Sequence, residues 1–144
     1  MSKFVYKFEA VRNVKEKLEK KVQKELSLIE LQIDNCKKDF EALVEEEMQN
    51  KSSAKKRTKV SEINFNKGYE LYMEKRKKMV LQKINELNKQ KEKKLSELIQ
   101  KSKEHRIFNS LEEKHKEQFH QEENKTDLGK TDEIAIQRFV RNPN

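Results

Sequence analysis

Two short spacings in this sequence could do chemistry. Glu112 with His115, and Glu117 with His120, each repeat Glu-x-x-His, the spacing with which facing helices of a bundle hold two iron ions through carboxylate and imidazole. Their placement speaks against that use. The histidines are five residues apart on one helix, about 140° apart around its axis, whereas a di-iron site draws such pairs from different facing helices. The first helical stretch has no histidine at all. These residues therefore read as solvated groups on a charged helix, His105 as a tolerated seam or surface residue, and no metal or cofactor is expected.

Cys36 is the only cysteine, so it can neither close an intramolecular disulfide nor build a thiolate cage by itself. It falls on a core-facing position and reads as a small apolar side chain in a reducing compartment. Serines and carboxylates are plentiful, but no glycine-rich elbow accompanies them. With Gly68 and Gly129 as the only glycines, no phosphate-cradling loop can form either. Catalysis is not expected of this chain.

A further candidate is charge alone. Lys51 to Lys59 holds five basic residues, no acid and no large apolar side chain before Val60. Such a run attracts nucleic acid or an anionic membrane surface in a nonspecific, salt-sensitive way. It has no interleaved aromatics to stack bases and does not lead into a zipper, so no specific nucleic-acid reader is expected.

The elements that must position these residues follow from composition. Of 144 residues, 42% are charged and 33% hydrophobic, which is too little apolar surface for a conventional globular core. Two glycines and a single proline, Pro143, leave almost no turn chemistry, so multi-stranded sheets drop out. The 34 basic and 26 acidic residues are finely mixed, a pattern of long solvated helices despite the net charge of +8. No apolar run approaches the roughly 20 residues of a membrane span, and Met1 to Phe8 alternates charge with aromatics where a signal peptide would be apolar.

From Val11 the apolar residues Val14, Leu18, Val22, Leu26, Ile29, Ile33, Cys36, Phe40 and Leu43 follow at steps of three and four. The alternation from Leu26 to Leu43 is that of a left-handed coiled-coil seam, and the consecutive fours around Leu18 and Val22 predict a stutter. After the basic connection a second stripe runs through Ile63, Phe65, Tyr69, Tyr72, Met73, Val80, Ile84 and Leu87, then Leu95, Leu98, Ile99, Phe108, Leu111 and Phe119. Lys91, Ser102 and His105 take seam-like positions within it. A polar segment from Glu122 to Gly129 reads as a frayed helix or a break. Thr131 then caps a last amphipathic stretch, with Asp132 and Glu133 in its first turn and Arg138 and Arg141 at its end.

These patterns predict an all-α fold: two long helices in an antiparallel coiled-coil hairpin, rod-shaped, as one domain over 1–144. Helix one covers about 6–50, the connection about 51–61, helix two about 62–123 and a C-terminal helical segment about 131–141. The alternative is a homodimer of long rods. The hairpin is preferred because the breaker lies between two stripes of similar length, and it predicts a monomer when free. Closing a loop of about ten residues costs little, since the entropy grows only logarithmically.

The ends carry more specific information. Lys3-Phe4-Val5-Tyr6-Lys7-Phe8-Glu9-Ala10-Val11-Arg12 opens the chain and Thr131-Asp132-Glu133-Ile134-Ala135-Ile136-Gln137-Arg138-Phe139 closes it. Together with the charged stretch around Leu111-Glu112-Glu113-Lys114-His115, they resemble the FliJ family of flagellar export proteins. The resemblance implies a non-catalytic protein, similar to the central stalk of rotary ATPases, that sits in the hexamer of the flagellar export ATPase and promotes its ring assembly. It also implies coupling to the membrane export-gate protein, export chaperones as further partners, and a cytoplasmic location, peripheral to the membrane at the flagellar base through partners alone. On that resemblance, Phe4, Phe8, Ile134 and Phe139 are the apolar contacts to the ATPase, and Lys7, Arg12, Arg138 and Arg141 meet its acidic residues. Tyr69, Tyr72 and Met73 form the export-gate patch. An injectisome stalk protein is the near variant, and an unrelated coiled-coil scaffold or a basic nucleic-acid-associated protein are the rival readings.

Overall fold

The computed structural model describes residues 2–54 and 59–141. It is an antiparallel hairpin of two helices, α1 (Glu9–Ala54, 46 residues) and α2 (Val60–Arg141, 82 residues). The described residues contain no strand. Of the basic connection, residues 55–58 lie outside the described residues, as do Asn142, Pro143 and Asn144.

Three boundaries differ from the sequence expectation. Helix α1 starts at Glu9, where the Phe8 carbonyl accepts the Arg12 N–H at 2.9 Å, and it continues to Ala54, four residues past the expected end. Helix α2 starts at Val60 rather than after Ser61, with the Lys59 carbonyl accepting the Ile63 N–H at 3.0 Å. The largest difference is the segment from Glu122 to Gly129, which is helical throughout. Thr131 does not cap a separate helix there. Its hydroxyl donates to the Asp127 carbonyl at 2.8 Å, as that of Thr126 does to Glu122 at 2.9 Å, and such bonds to the preceding turn belong to a helix interior.

The chain divides into two compact units, Lys20–Ile99 and Met1–Glu19 with Gln100–Asn144. In the first of these, less exposed positions on α1 fall at Val22, Leu26, Ile29, Ile33, Cys36, Phe40, Leu43, Glu47 and Asn50, alternating fours and threes. On α2 they fall at Glu62, Asn66, Tyr69, Met73, Lys77, Val80, Ile84, Leu87, Lys91, Lys94 and Leu98. Ile33, Cys36 and Leu87 form the core, with Ile29, Val80 and Ile84 packed against it. Consecutive fours occur on α2 from Tyr69 through Met73 to Lys77, where one extra residue shifts the phase.

Charge flanks this seam in antiparallel order. Glu25 pairs with Lys94, Glu30 with Lys91 and Glu47 with Lys77, so partners on α2 descend as those on α1 ascend. Lys94 and Lys77 hold the Glu25 and Glu47 carboxyls below the ordinary carboxylate range by hydrogen bonding. Lys91, a seam-like position in the sequence, reaches Glu30 at 3.8 Å instead of being buried unpaired.

In the other unit the less exposed positions are Phe8, just before α1, and Arg12, Lys15 and Glu19 on α1, against Ser102, His105, Phe108, Glu112, His115 and Phe119 on α2. Val11 and Val14 are exposed, at 41% and 54%. Leu18 is half-buried and Val22 buried, so the expected fours around Leu18 and Val22 run beside the four-three spacing of Phe8, Arg12, Lys15 and Glu19. Polar residues hold the four-three register because each meets a complementary polar group: Lys15 reaches Glu104 at 3.1 Å, and His105 Nδ1 lies 2.6 Å from Glu19.

Candidate partner-binding surfaces

The residues before α1 form an extended segment whose alternate side chains face α2. Phe4, Tyr6 and Phe8 turn inward while Lys3, Val5 and Lys7 are exposed, the period of two expected of extended backbone. Phe4 packs on Phe119 with ring centres 5.6 Å apart, and Phe8 packs on Phe108 at 6.3 Å. Tyr6 is buried between them, and its hydroxyl donates to the Phe108 carbonyl at 2.6 Å. Burial raises the Tyr6 pKa, with Glu112 adding to the shift, so the hydroxyl remains a donor. The His115 ring lies 6.0 Å from both Tyr6 and Phe8.

Arg12 completes this cluster. Its guanidinium lies 5.6 Å from the centre of the Tyr6 ring and forms ion pairs with Glu112 and Glu9. The bond to Glu112 raises the Arg12 pKa further. Three of the residues expected to meet a partner, Phe4, Phe8 and Arg12, are thus engaged by α2 of the same chain. Lys7 is exposed, with its ammonium 5.9 Å from the Phe8 ring.

The other expected residues of this set lie elsewhere in the same unit. Phe4 meets Phe119, fifteen residues before Ile134, a separation of about 22 Å along a helix. Every residue from 124 to 141 is exposed, including Leu128, Ile134, Ile136, Phe139 and Val140. This stretch of roughly 27 Å presents two faces. Leu128, Ala135, Ile136, Phe139 and Val140 gather on one side, whereas Ile134, Arg138 and Arg141 gather on another, about 140° from Phe139. Ile134 and Phe139 are thus set apart along α2 from Phe4 and Phe8, with which they were expected to form one contact. The cause is visible on α2: beyond Phe119, the groove near Ser2 is lined by Glu122, Glu123, Thr126, Asp127 and Lys130, which offer no apolar grip.

In the unit Lys20–Ile99 the expected aromatic patch divides as well. Met73 has no exposed surface, so it belongs to the core and cannot touch a partner while the helices are paired. Tyr69 and Tyr72 remain available, Tyr72 at 54% exposure. Phe65, which the periodicity marks only as a stripe residue, stacks on Tyr69 at 6.5 Å and 18° and is itself 65% exposed. Phe65, Gly68, Tyr69 and Tyr72 line one shallow apolar groove. The Tyr69 hydroxyl donates to Glu46 at 2.9 Å, which raises its pKa, and the Arg76 guanidinium covers the Tyr72 ring at 5.6 Å. A Cβ placed on Gly68 would meet nothing within 4 Å, so glycine here keeps the groove floor low rather than relieving a clash.

Sequence reasoning missed Tyr6 and His115 as members of the aromatic cluster. The alternation of aromatics before α1 is the signal that could have found Tyr6; nothing local marks His115. Among the described residues, no group of three or more His, Cys, Asp or Glu side chains is placed to hold a metal ion. No helix of the described residues is long and apolar enough to cross a membrane.

Two antiparallel helices, paired through a narrow seam and laced by ion pairs, define an all-α hairpin of the coiled-coil class. The family profile described as flagellar FliJ protein matches residues 3–144, nearly the whole length, and the chain belongs to the FliJ family. It is accordingly a protein related to flagellar export. No curated protein and no solved structure matches it.

Proposed function

We propose that this chain is the non-catalytic central stalk of the flagellar export ATPase, promoting assembly of the ATPase ring and coupling it to the membrane export gate. The observation that carries the reading is the family match over residues 3–144. The exposed last five turns of α2 support it, since an apolar helical surface left open needs a partner. In this reading Ile134, Arg138, Phe139 and Arg141 touch the ring, and Lys7, on the N-terminal segment, makes a separate contact with it. Phe4, Phe8 and Arg12 act indirectly, by anchoring the N-terminal segment on α2. Charge contacts of this kind orient and accelerate docking more than they tighten it.

The gate contact is assigned to Phe65, Tyr69 and Tyr72, with Met73 as the buried support of the helix that presents them. Export chaperones are further partners in this reading, and the working location is the cytoplasmic face of the membrane at the flagellar base.

The test is ATP hydrolysis and ring formation by the export ATPase of the same organism at physiological salt, with and without this protein. Stimulation near one chain per hexamer, lost on removal of residues 131 to 144, is the expected result. An active ATPase that neither binds nor responds would remove the stalk reading.

A further inference from the structure

Helix α1 carries a second surface that neither the seam nor the two surfaces above include. Lys20, Gln23, Lys24, Ser27, Leu28 and Leu31 line one groove along its outer side. Leu28 and Leu31 are 60% and 56% exposed. At 100° per residue, Leu28 and Leu31 lie close to opposite the Val22, Leu26, Ile29 and Ile33 edge, so α2 of the same hairpin cannot cover them. Lys20, Lys21 and Lys24 precede the leucines on this side and Asn35 and Lys38 follow, all exposed, while Asp34 and Asp39 stand at the borders of the far end.

We propose that this face docks an amphipathic helix of a partner protein, acidic on its flanks, with apolar residues set at three and four spacing over Leu28 and Leu31. The charge of the surface selects that occupant. Carboxylates on the incoming helix meet Lys20, Lys21 and Lys24, and the aliphatic stems of those lysines extend the apolar floor. A second copy of this chain is a poorer fit, because a two-fold contact centred between Leu28 and Leu31 sets Lys21 against Lys38 and Lys24 against the neutral Asn35, leaving Lys20 with Asp39 as its one opposite-charge pair. A membrane surface is also a poor fit, since two leucines in a groove offer little to insert. The proposal does not depend on the stalk reading.

The probe is a fluorescein-labelled synthetic helix with leucines at three and four spacing and glutamates beside them, compared with the same helix carrying lysines instead. Fluorescence anisotropy with the full chain at physiological salt should show the acidic helix binding roughly tenfold or more tightly than the basic one. Leu28→Gln with Leu31→Gln, and separately Lys20→Glu with Lys24→Glu, should each weaken it by about tenfold. Lys83→Glu with Lys89→Glu, an equal charge change at exposed α2 positions, should leave it within roughly twofold. Circular dichroism checks that each variant keeps its helicity.

Absence of binding by the acidic helix overturns the proposal. So does equal weakening by the α2 pair, which reduces the effect to net charge, or weakening by Tyr72→Ala in place of the leucine pair. Leucine-dependent binding to phosphatidylglycerol vesicles without discrimination between the two helices gives the face to a membrane. A mass that doubles with concentration, and no longer does so in the leucine variant, gives it to a second copy.

Discussion

The two compact units solve the same pairing problem with different chemistry. Between Lys20 and Ile99 the seam is closed by Ile33, Cys36, Leu87 and the fully buried Met73, with ion pairs confined to its flanks. In the unit that holds both ends of the chain, Arg12, Lys15 and Glu19 occupy the seam positions and meet Glu112, Glu104 and His105. Its only buried hydrophobic residue among those described is Tyr6. Apolar burial is insensitive to salt and acts over the whole contact area, whereas partly exposed ion pairs contribute little each and are screened. The difference teaches that one register can be kept by two mechanisms, but the stability they supply is unequal. The unit with both chain ends should open at lower cost, and it is also the one that carries the exposed end of α2.

The largest test of that contrast is a pair of truncations. Met73→Ala, in the apolar seam, should destabilise the protein by roughly 2–5 kcal/mol, the range for a buried methionine. Val14→Ala, at an exposed position of the other unit, should fall within about 0.5 kcal/mol of the parent. Urea unfolding followed by far-ultraviolet circular dichroism measures both. Equal effects would mean that Val14, and not the ion pairs alone, closes the contact in the second unit.

A smaller effect, with the opposite sign, is expected at Gly129. It sits inside α2 with nothing within 4 Å of an added Cβ and no positive φ. Gly129→Ala should therefore raise local helix stability by about 1 kcal/mol. Slower amide exchange across residues 124–141, with little change between Lys20 and Ile99, is the result that sharpens the comparison.

Acid should produce the smallest effect. Glu25, Glu47 and Glu104 all have carboxyls held below their ordinary value, chiefly by hydrogen bonds from Lys94, Lys77 and Lys15 respectively. A depressed folded pKa contributes stability that is fully present above the unfolded value of about 4.3 and is lost as pH falls through the folded value. Lowering the pH from neutrality to below 4 should thus loosen both units, and the polar-seamed one first. Amide exchange corrected for its intrinsic pH dependence checks the order. Simultaneous loosening would show that the apolar seam depends on its flanking charges as much as the polar one does.

How much of this was legible follows from where each contact draws its partner. The α1 stripe from Leu26 to Leu43 could be read because apolar residues at alternating fours and threes announce a seam without knowledge of the other helix. Arg12, Lys15 and Glu19 could not be read that way. A charged residue becomes a seam residue only through a specific polar partner, and theirs lie 86 to 100 residues away. Met73 and Tyr72 are adjacent in sequence and both fall in the patch that the resemblance implies; at about 100° apart around the helix, one turns inward and the other out. Of the two readings of the segment before Thr131, a frayed helix or a break, the break does not occur, for a local reason. Polar composition and a glycine weaken a helix without ending it, and two threonine hydroxyls bond back to the preceding turn there.

The chain's only thiol has a practical consequence. Cys36 is 7% exposed and lies within the Ile33–Leu87 cluster, so a maleimide or disulfide reagent reaches its Sγ only when the two helices part. Its rate of modification in the native protein is therefore a clock for helix separation, readable by mass spectrometry without any engineered label. A bound partner that clamps the hairpin would slow that clock, and one that pries it open would speed it.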